Sequence, residues 1–112
     1  MEEKVSRKPY LTSDKFLVSR TEAYNYGIYT FGYFQAEHYD RKIEKAIESL
    51  SCFYMAYPEC RHLATKSRMY RNIILDAHLI IYRITNERIE VLDIIHSASS
   101  IGKIRGARKI RL

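Results

Sequence analysis

Two stretches of the chain carry basic side chains with no acidic residue among them. The formal net charge is +6, and these stretches run from Arg61 to Arg71 and from Ser97 to Leu112. Basic clusters of this kind favour contact with an anionic partner, such as nucleic acid or an acidic protein segment; the alternative is two solvated faces. We predict target contacts from Arg61, Lys66, Arg68 and Arg71 in the first stretch and from Lys103, Arg105, Arg108 and Lys109 in the second.

The cysteine and histidine positions argue against a metal centre. Cys52 and Cys60 do not form a C-x-x-C pair, and the four histidines are scattered along the chain. Structural zinc sites use closely spaced thiolate or imidazole ligands, and disulfides are rare in the cytosol. We therefore expect two buried or half-buried thiols, with no metal and no cofactor.

The length and composition of the chain predict one small domain. With 112 residues, of which 46% are hydrophobic, the chain can form a single core. No apolar run approaches the roughly 18 residues that cross a bilayer, and no apolar segment of a signal peptide follows Met1–Lys4. We expect a domain over residues 1–98 in a cytoplasmic protein that does not bind membranes. Residues 99–112 would be a basic tail that forms a short helix or stays disordered until a partner covers it.

A first helix is predicted over Asp14–Phe31. A short strand, Lys8–Thr12, precedes it, and Thr12 or Ser13 can cap it by accepting a hydrogen bond from an exposed backbone N–H. Gly32 suits the C-terminal cap, where φ is positive. Apolar residues recur at helical spacing within the segment, at Leu17, Tyr24, Ile28 and Phe31.

A second helix is predicted to begin near Phe34 or Gln35 and to end before Pro58, because the residue preceding a proline avoids the α region. The short link at Gly32 makes the two helices antiparallel, and Gly27 allows a neighbouring element to pack closely against the first helix. Apolar residues three and four apart give the second helix one buried stripe, consisting of Ala36, Tyr39, Ile43, Ala46, Ile47, Leu50 and Phe53.

The second half of the chain is predicted to be an antiparallel sheet. Met69–Leu75, His78–Ile84 and Ile89–Ile95 are rich in Ile, Leu, Val and Tyr and are separated by short turns. A further strand is predicted at His62–Lys66. The run His78–Tyr82 is apolar on both faces, which indicates a central strand covered by the helices.

Short motifs in these elements occur in the order found in one known family. They are Tyr24–Ile28, Phe31-Gly32, Gln35-Ala36 and Tyr39 in the hairpin, then Pro58 and Arg61, then Tyr70-Arg71, His78–Ile84, Ile89–Val91 and Ile94–His96 in the sheet. From about Leu11 to His96 the chain resembles the RelE/ParE toxin superfamily and is closest to its ParE-like branch. The resemblance implies an α+β fold in which an N-terminal antiparallel helical hairpin packs on a mostly antiparallel β-sheet.

The resemblance also implies a function. It indicates the toxin of a type II toxin–antitoxin system, with a cognate antitoxin as its principal protein partner. ParE-like members poison DNA gyrase, and RelE-like members cut mRNA on the ribosome. We expect growth inhibition through DNA gyrase. The alternatives are a RelE-like endoribonuclease that acts on ribosome-bound mRNA, and a non-toxic binding module that has kept the fold.

For the nuclease alternative, the resemblance indicates Arg71, Arg83 and His96 as candidate catalytic residues. Metal-independent cleavage of RNA needs a proton acceptor for the 2′-hydroxyl and cations for the phosphorane charge. His96, with an ordinary pKa of about 6.5, suits proton transfer at neutral pH. The alternative roles are a strand-end hydrogen bond for His96 and fold support or antitoxin docking for the arginines. Tyr82 is expected in the core.

The sequence departs from the patterns of the family at one residue and in one short segment. Leu79 stands where RelE-like enzymes have an arginine, and leucine supplies no charge. Ser97–Ser100 stands where both branches have a basic segment after the last strand. The cations in this part of the chain have moved to Lys103–Arg111.

Overall fold

The elements follow one another in the predicted order, a helical hairpin and then a sheet. The computed structural model describes residues 7–112, so the interpretation of Met1–Lys4 lies outside the described residues. The elements are β1 (Tyr10–Thr12), α1 (Asp14–Phe31), α2 (Tyr33–Glu48), α3 (Leu50–Phe53), β2 (Tyr70–Leu75), β3 (His78–Ile84), β4 (Ile89–His96), α4 (Ile101–Gly106) and a 3-10 turn (Ala107–Lys109). Within this part of the chain, no helix has the length and apolar character needed to cross a bilayer.

Helix α1 has the predicted ends but not the predicted buried face. The Ser13 side chain accepts a hydrogen bond from the Phe16 N–H at 2.9 Å, and Gly32 ends the helix with φ of 93°. The α1 residue in the core is Phe16, because only the first turns of the helix lie on the sheet. The apolar positions used for the prediction are partly or largely exposed, namely Leu17, Tyr24, Ile28 and Phe31.

Helices α1 and α2 pack closely as an antiparallel pair. A Cβ added to Gly27 would lie only 3.3 Å from the Ala36 Cβ, which confirms the predicted close approach. The Arg20 guanidinium bonds to the Asp40 carboxylate at 2.8 Å and to Glu44 at 2.6 Å, and this joins the two helices. The predicted stripe of α2 is buried or half-buried as far as Leu50, and its last residue, Phe53, is exposed.

The sheet has four strands in the order β1-β4-β3-β2. Only β1 runs parallel to its neighbour, β4, so the sheet is mostly antiparallel, as predicted. The strand predicted at His62–Lys66 is wrong, because this segment forms turns. The Glu59 carboxylate accepts the Thr65 N–H at 3.2 Å, and Leu63 turns inward to fill the core.

Both faces of the sheet are covered, but by different parts of the chain. The hairpin packs on the face that includes Ile80 and Tyr82. The opposite face, which includes Ile81, is covered by the β2-preceding loop and by the C-terminal tail rather than by the hairpin helices. The residues that cover this second face are Cys60, Leu63, Ile104 and Ala107. The tail is therefore helical and packed on the sheet.

Candidate functional site

Arg71 and Arg83 lie on opposite faces of the sheet. In the β2–β3 ladder, Arg71 pairs with Tyr82 and Arg83 pairs with Tyr70. Tyr82 belongs to the core beneath the hairpin, and Tyr70 belongs to the core beneath the tail. Side chains of directly paired residues point to the same face, so the two guanidinium groups are separated by the sheet itself.

His96 lies at the other end of the sheet from Arg83. It pairs with His78 at the end of β4, whereas Arg83 pairs with Glu90. His78 and Arg83 are five positions apart on β3, which corresponds to roughly 16 Å along the strand. The structure therefore does not bring the three catalytic candidates together.

Arg71 holds a loop in place. Its side chain is buried on β2, and its Nη1 atom donates to the carbonyl oxygens of Met55 at 3.0 Å and Tyr57 at 2.8 Å. Its Nε atom donates to the carbonyl of Arg68 at 3.2 Å. These bonds connect β2 to the segments on both sides of Pro58, in agreement with a fold-supporting role for this arginine.

Arg83 secures the C-terminal tail on the sheet. It forms a 2.6 Å ion pair with Glu90, and it donates to the Ile110 carbonyl at 3.2 Å. Arg88 pairs with the other oxygen of Glu90 at 2.8 Å. Burial would raise the pKa of Glu90, but the hydrogen bonds from the two arginines outweigh it and hold this pKa below its ordinary value. The charge of Arg83 is thus neutralised within the fold.

His96 borders a groove between the hairpin and the β2–β3 turn. The groove has a volume of about 450 Å³ and is lined mainly by aromatic and apolar residues of α1 and α2. In its wall, the Tyr39 hydroxyl donates to the Leu75 carbonyl at 2.8 Å and lies 2.7 Å from His78 Nδ1. The ring of His96 is 5.5 Å from that of His78. Burial, and then the nearby His96, lower the pKa of His78, while burial raises the pKa of Tyr39 to about 12.

Apart from Arg71, the two predicted basic stretches are anchored on the same face of the sheet. Cys60 and Leu63 anchor the first, and Ile104 and Ala107 anchor the second, in the same buried cluster opposite the hairpin. Apart from the buried Arg71, the cations predicted to contact a target are all exposed, namely Arg61, Lys66, Arg68, Lys103, Arg105, Arg108 and Lys109. The structure therefore brings two sequence-distant charge clusters to one side of the molecule.

The remaining polar candidates are parts of the core. Tyr82 is fully buried, as predicted, and its hydroxyl donates to the Tyr54 carbonyl at 2.6 Å. Cys60 is buried, which raises the pKa of its thiol, and Cys52 is half-buried. Among residues 7–112, no three or more His, Cys, Asp or Glu side chains come close enough to hold a metal ion.

An exposed aromatic surface at the tip of the hairpin was missed by the sequence reasoning. We call it the hairpin tip, and its residues are Tyr26, Tyr29, Phe31, Tyr33 and Phe34. Tyr29 and Phe34 are 93% and 84% exposed, although aromatic residues of this size are normally largely buried. The available signal was their position, because all five fall outside the stripe of α2 that faces the core.

Comparisons with known proteins agree with this architecture. A family model described as the ParE toxin of the type II toxin–antitoxin system parDE matches residues 10–101. A solved structure titled as the chromosomal ParDE toxin–antitoxin system from P. aeruginosa is similar with a TM-score of 0.68 and 14% identity, over 81% of this chain and 97% of that chain. At this identity the structural likeness concerns the fold. No curated protein matches the chain. Because the family model covers most of the sequence, the chain belongs to the ParE toxin family of type II toxin–antitoxin systems.

Proposed function

We propose that this chain is a growth-inhibiting toxin that acts on DNA gyrase in the cytoplasm and is neutralised by a co-encoded antitoxin. The observation that carries the proposal is the match to the ParE toxin family over residues 10–101. Membership of a toxin–antitoxin system implies an antitoxin partner, and gyrase is the target that the ParE-like resemblance implied.

The positions of the catalytic candidates also favour this proposal over the nuclease alternative. A proton acceptor must come within hydrogen-bond reach of the reacting hydroxyl, and cations must contact the same phosphate. Arg71 and Arg83 lie on opposite faces, and His96 is far along the sheet from Arg83. Inhibition by binding to a target protein does not require these residues to meet.

We further propose that the face opposite the hairpin contacts the target. It combines the exposed cations of the Arg61–Arg68 loop with those of the tail. Positive potential concentrated on one face increases the rate of association with an anionic surface and makes binding sensitive to salt. The residues of the hairpin tip are exposed and take no part in the buried cluster of this face, so the tip is available to the antitoxin.

The test is inducible expression of the full chain in bacteria, with and without the protein encoded beside it. We expect growth arrest and gyrase-linked DNA breaks when the chain is expressed alone, and normal growth when both proteins are expressed. Purified chain should inhibit supercoiling by gyrase in the same concentration range in which it binds gyrase. A truncation within β3 that prevents folding provides the inactive control.

Two results would contradict the proposal. Codon-positioned cuts in mRNA, mapped from 5′ ends after induction and without DNA breaks, would indicate the ribosome-dependent endoribonuclease. Normal growth in cells that contain soluble, folded chain would indicate a binding module without toxicity.

A further inference from the structure

A second cleft lies between the N-terminal segment and β2. It has a volume of about 390 Å³. Among residues 7–112, its lining contains the cations Lys8, Arg68 and Arg71 and no carboxylate. The other residues of the lining are Met55, Ser67, Met69, Ile84, Thr85 and Asn86. The cleft therefore combines a cationic part with apolar and amide groups.

The charge of Arg71 is not neutralised by any described carboxylate. The hydrogen bonds of its guanidinium all go to backbone carbonyls, from Nε and Nη1. No partner within residues 7–112 is found for Nη2. Arg71 is 8% exposed, and it lines the cleft. Carbonyl dipoles orient the guanidinium but leave its net charge in place.

Lys8 and Arg68 add to the same positive region. The Lys8 Nζ atom donates to the carbonyl oxygens of Thr85 and, at 3.1 Å, of Asn86, so its described hydrogen bonds are also to neutral acceptors. Arg68 has φ of 56° and an exposed guanidinium. Its Nε atom is 3.8 Å from a carboxylate oxygen of Glu59, which is a weak, solvent-screened contact. Within the part of the chain that the structure describes, these three cations therefore share one partial counter-charge, that of Glu59.

We propose that this cleft binds a phosphate monoester, with the phosphate on Lys8, Arg68 and Arg71 and the organic part against Met55 and Met69. A phosphate dianion offers three terminal oxygens, which can bond to guanidinium and ammonium donors that converge from different elements. A carboxylate has one charge and two oxygens, so it would leave more of the positive charge uncompensated. The volume lies within the range of small-molecule pockets, roughly 300–1,000 Å³. The ester is either a mononucleotide-like small molecule or the phosphorylated end of a nucleic-acid strand.

The experiment is an NMR titration of the isotopically labelled full chain, which reports on each backbone amide. The probes are inorganic phosphate, adenosine 5′-monophosphate and adenosine, followed by a short oligonucleotide with and without a 5′-phosphate. We expect inorganic phosphate and the monophosphate to shift the amides of Ser67, Arg68, Thr85 and Asn86, and adenosine to leave them unshifted. Preference for the monophosphate indicates the small-molecule source, and preference for the phosphorylated oligonucleotide indicates the strand end.

The matched variants are Arg68→Asn in the cleft and Arg61→Asn outside it. Asparagine tolerates the positive φ at position 68, so the turn is kept. Arg61 is an exposed arginine of the same loop and does not line the cleft. Loss of one charge-assisted contact should weaken binding of the monophosphate by about tenfold in Arg68→Asn. In Arg61→Asn the affinity for the monophosphate should change by less than about threefold, because only the long-range attraction of one charge is lost.

The proposal is overturned if the shifts are confined to the tail cations Lys103–Arg111, or if both variants weaken binding equally, because either result means non-specific attraction to a basic protein. It is also overturned if an acidic peptide competes for the cleft amides more strongly than the monophosphate does. These measurements need neither toxicity nor gyrase, so they can fail or succeed independently of the proposed function.

Discussion

Replacement of Glu90 by glutamine should destabilise the fold strongly, because this carboxylate neutralises two arginines at once. The side chains of Arg83 and Glu90 are only 13% and 10% exposed, and their charged atoms are 2.6 Å apart. Removal of one partner from a buried ion pair leaves the other charge uncompensated and costs about 3–5 kcal/mol. Because Arg88 is one-third exposed, we expect the lower end, about 3 kcal/mol for Glu90→Gln. For a domain of this size, that lowers Tm by at least about 12 °C.

The assay is urea unfolding followed by circular dichroism, with the free energy of unfolding compared between the parent chain and the Glu90→Gln variant. The matched control is Asp76→Asn, which removes the carboxylate of the exposed Lys42–Asp76 pair at the same separation of 2.6 Å. Asparagine tolerates the φ of 50° at position 76, so the turn is kept, and we expect a change below about 1 kcal/mol. If Glu90→Gln costs no more than Asp76→Asn, the buried network does not hold the tail and the reasoning fails.

The pH dependence of this difference gives an independent check of its electrostatic origin. The pKa of Glu90 is lower in the folded chain than in the unfolded chain. The contribution of this ionised carboxylate to the free energy of unfolding is therefore complete above the pKa in the unfolded chain, about 4.3. The contribution is lost as the pH falls through the lower, folded pKa. The gap between parent and variant should therefore be constant from about pH 6 to 8 and should narrow below about pH 4. A gap that does not change over this range would mean that the substitution acts through packing.

Two further predictions concern the surfaces of the molecule. Tyr29→Ser combined with Phe34→Ser should leave Tm within about 2 °C of the parent, because both side chains are exposed, and should weaken antitoxin binding at least tenfold if the hairpin tip is the docking surface. Calorimetry with the purified antitoxin measures this affinity, and an unchanged affinity would mean that the antitoxin binds elsewhere. Lys103→Gln combined with Arg105→Gln should reduce toxicity and weaken gyrase binding more at low salt than at high salt while antitoxin binding persists; full toxicity of a stably folded variant would exclude the tail from the target contact.

Helix α2 was predictable because its apolar spacing reflects direct burial. The stripe of α2 is apolar where the helix faces the sheet, and Gly32 caps the end of α1 with φ of 93°. The spacing in α1 was misleading for a physical reason. Only Phe16 reaches the core, and the later aromatic residues project beyond the sheet. A helical period shows that a segment is a helix, but it does not show which part of the helix is covered.

The candidate site was less predictable because it depends on strand register. Arg71 and Arg83 have equivalent sequence contexts, since each follows a tyrosine in an apolar strand. A shift of one residue in register reverses the face to which every side chain of a strand points. In the observed register Arg71 pairs with Tyr82 and Arg83 pairs with Tyr70, so the two arginines point to opposite faces. The burial of Arg71 against backbone carbonyls also depends on a loop whose turns have no periodic pattern. The failed strand prediction at His62–Lys66 has the same origin, because Leu63 is a single inward residue within turns.

The departure at Ser97–Ser100 has a structural explanation that also accounts for the position of the tail cations. Ser100 caps α4 by accepting the Lys103 N–H at 3.3 Å, so the segment begins a helix instead of presenting charge. The helix buries Ile104 against the sheet and directs its basic residues outward. Truncation after Ser100 would remove both the charge and part of the core, and loss of toxicity would then have two causes. Substitution of the exposed cations separates these causes, because it changes the potential of the face while the packing that holds the helix remains.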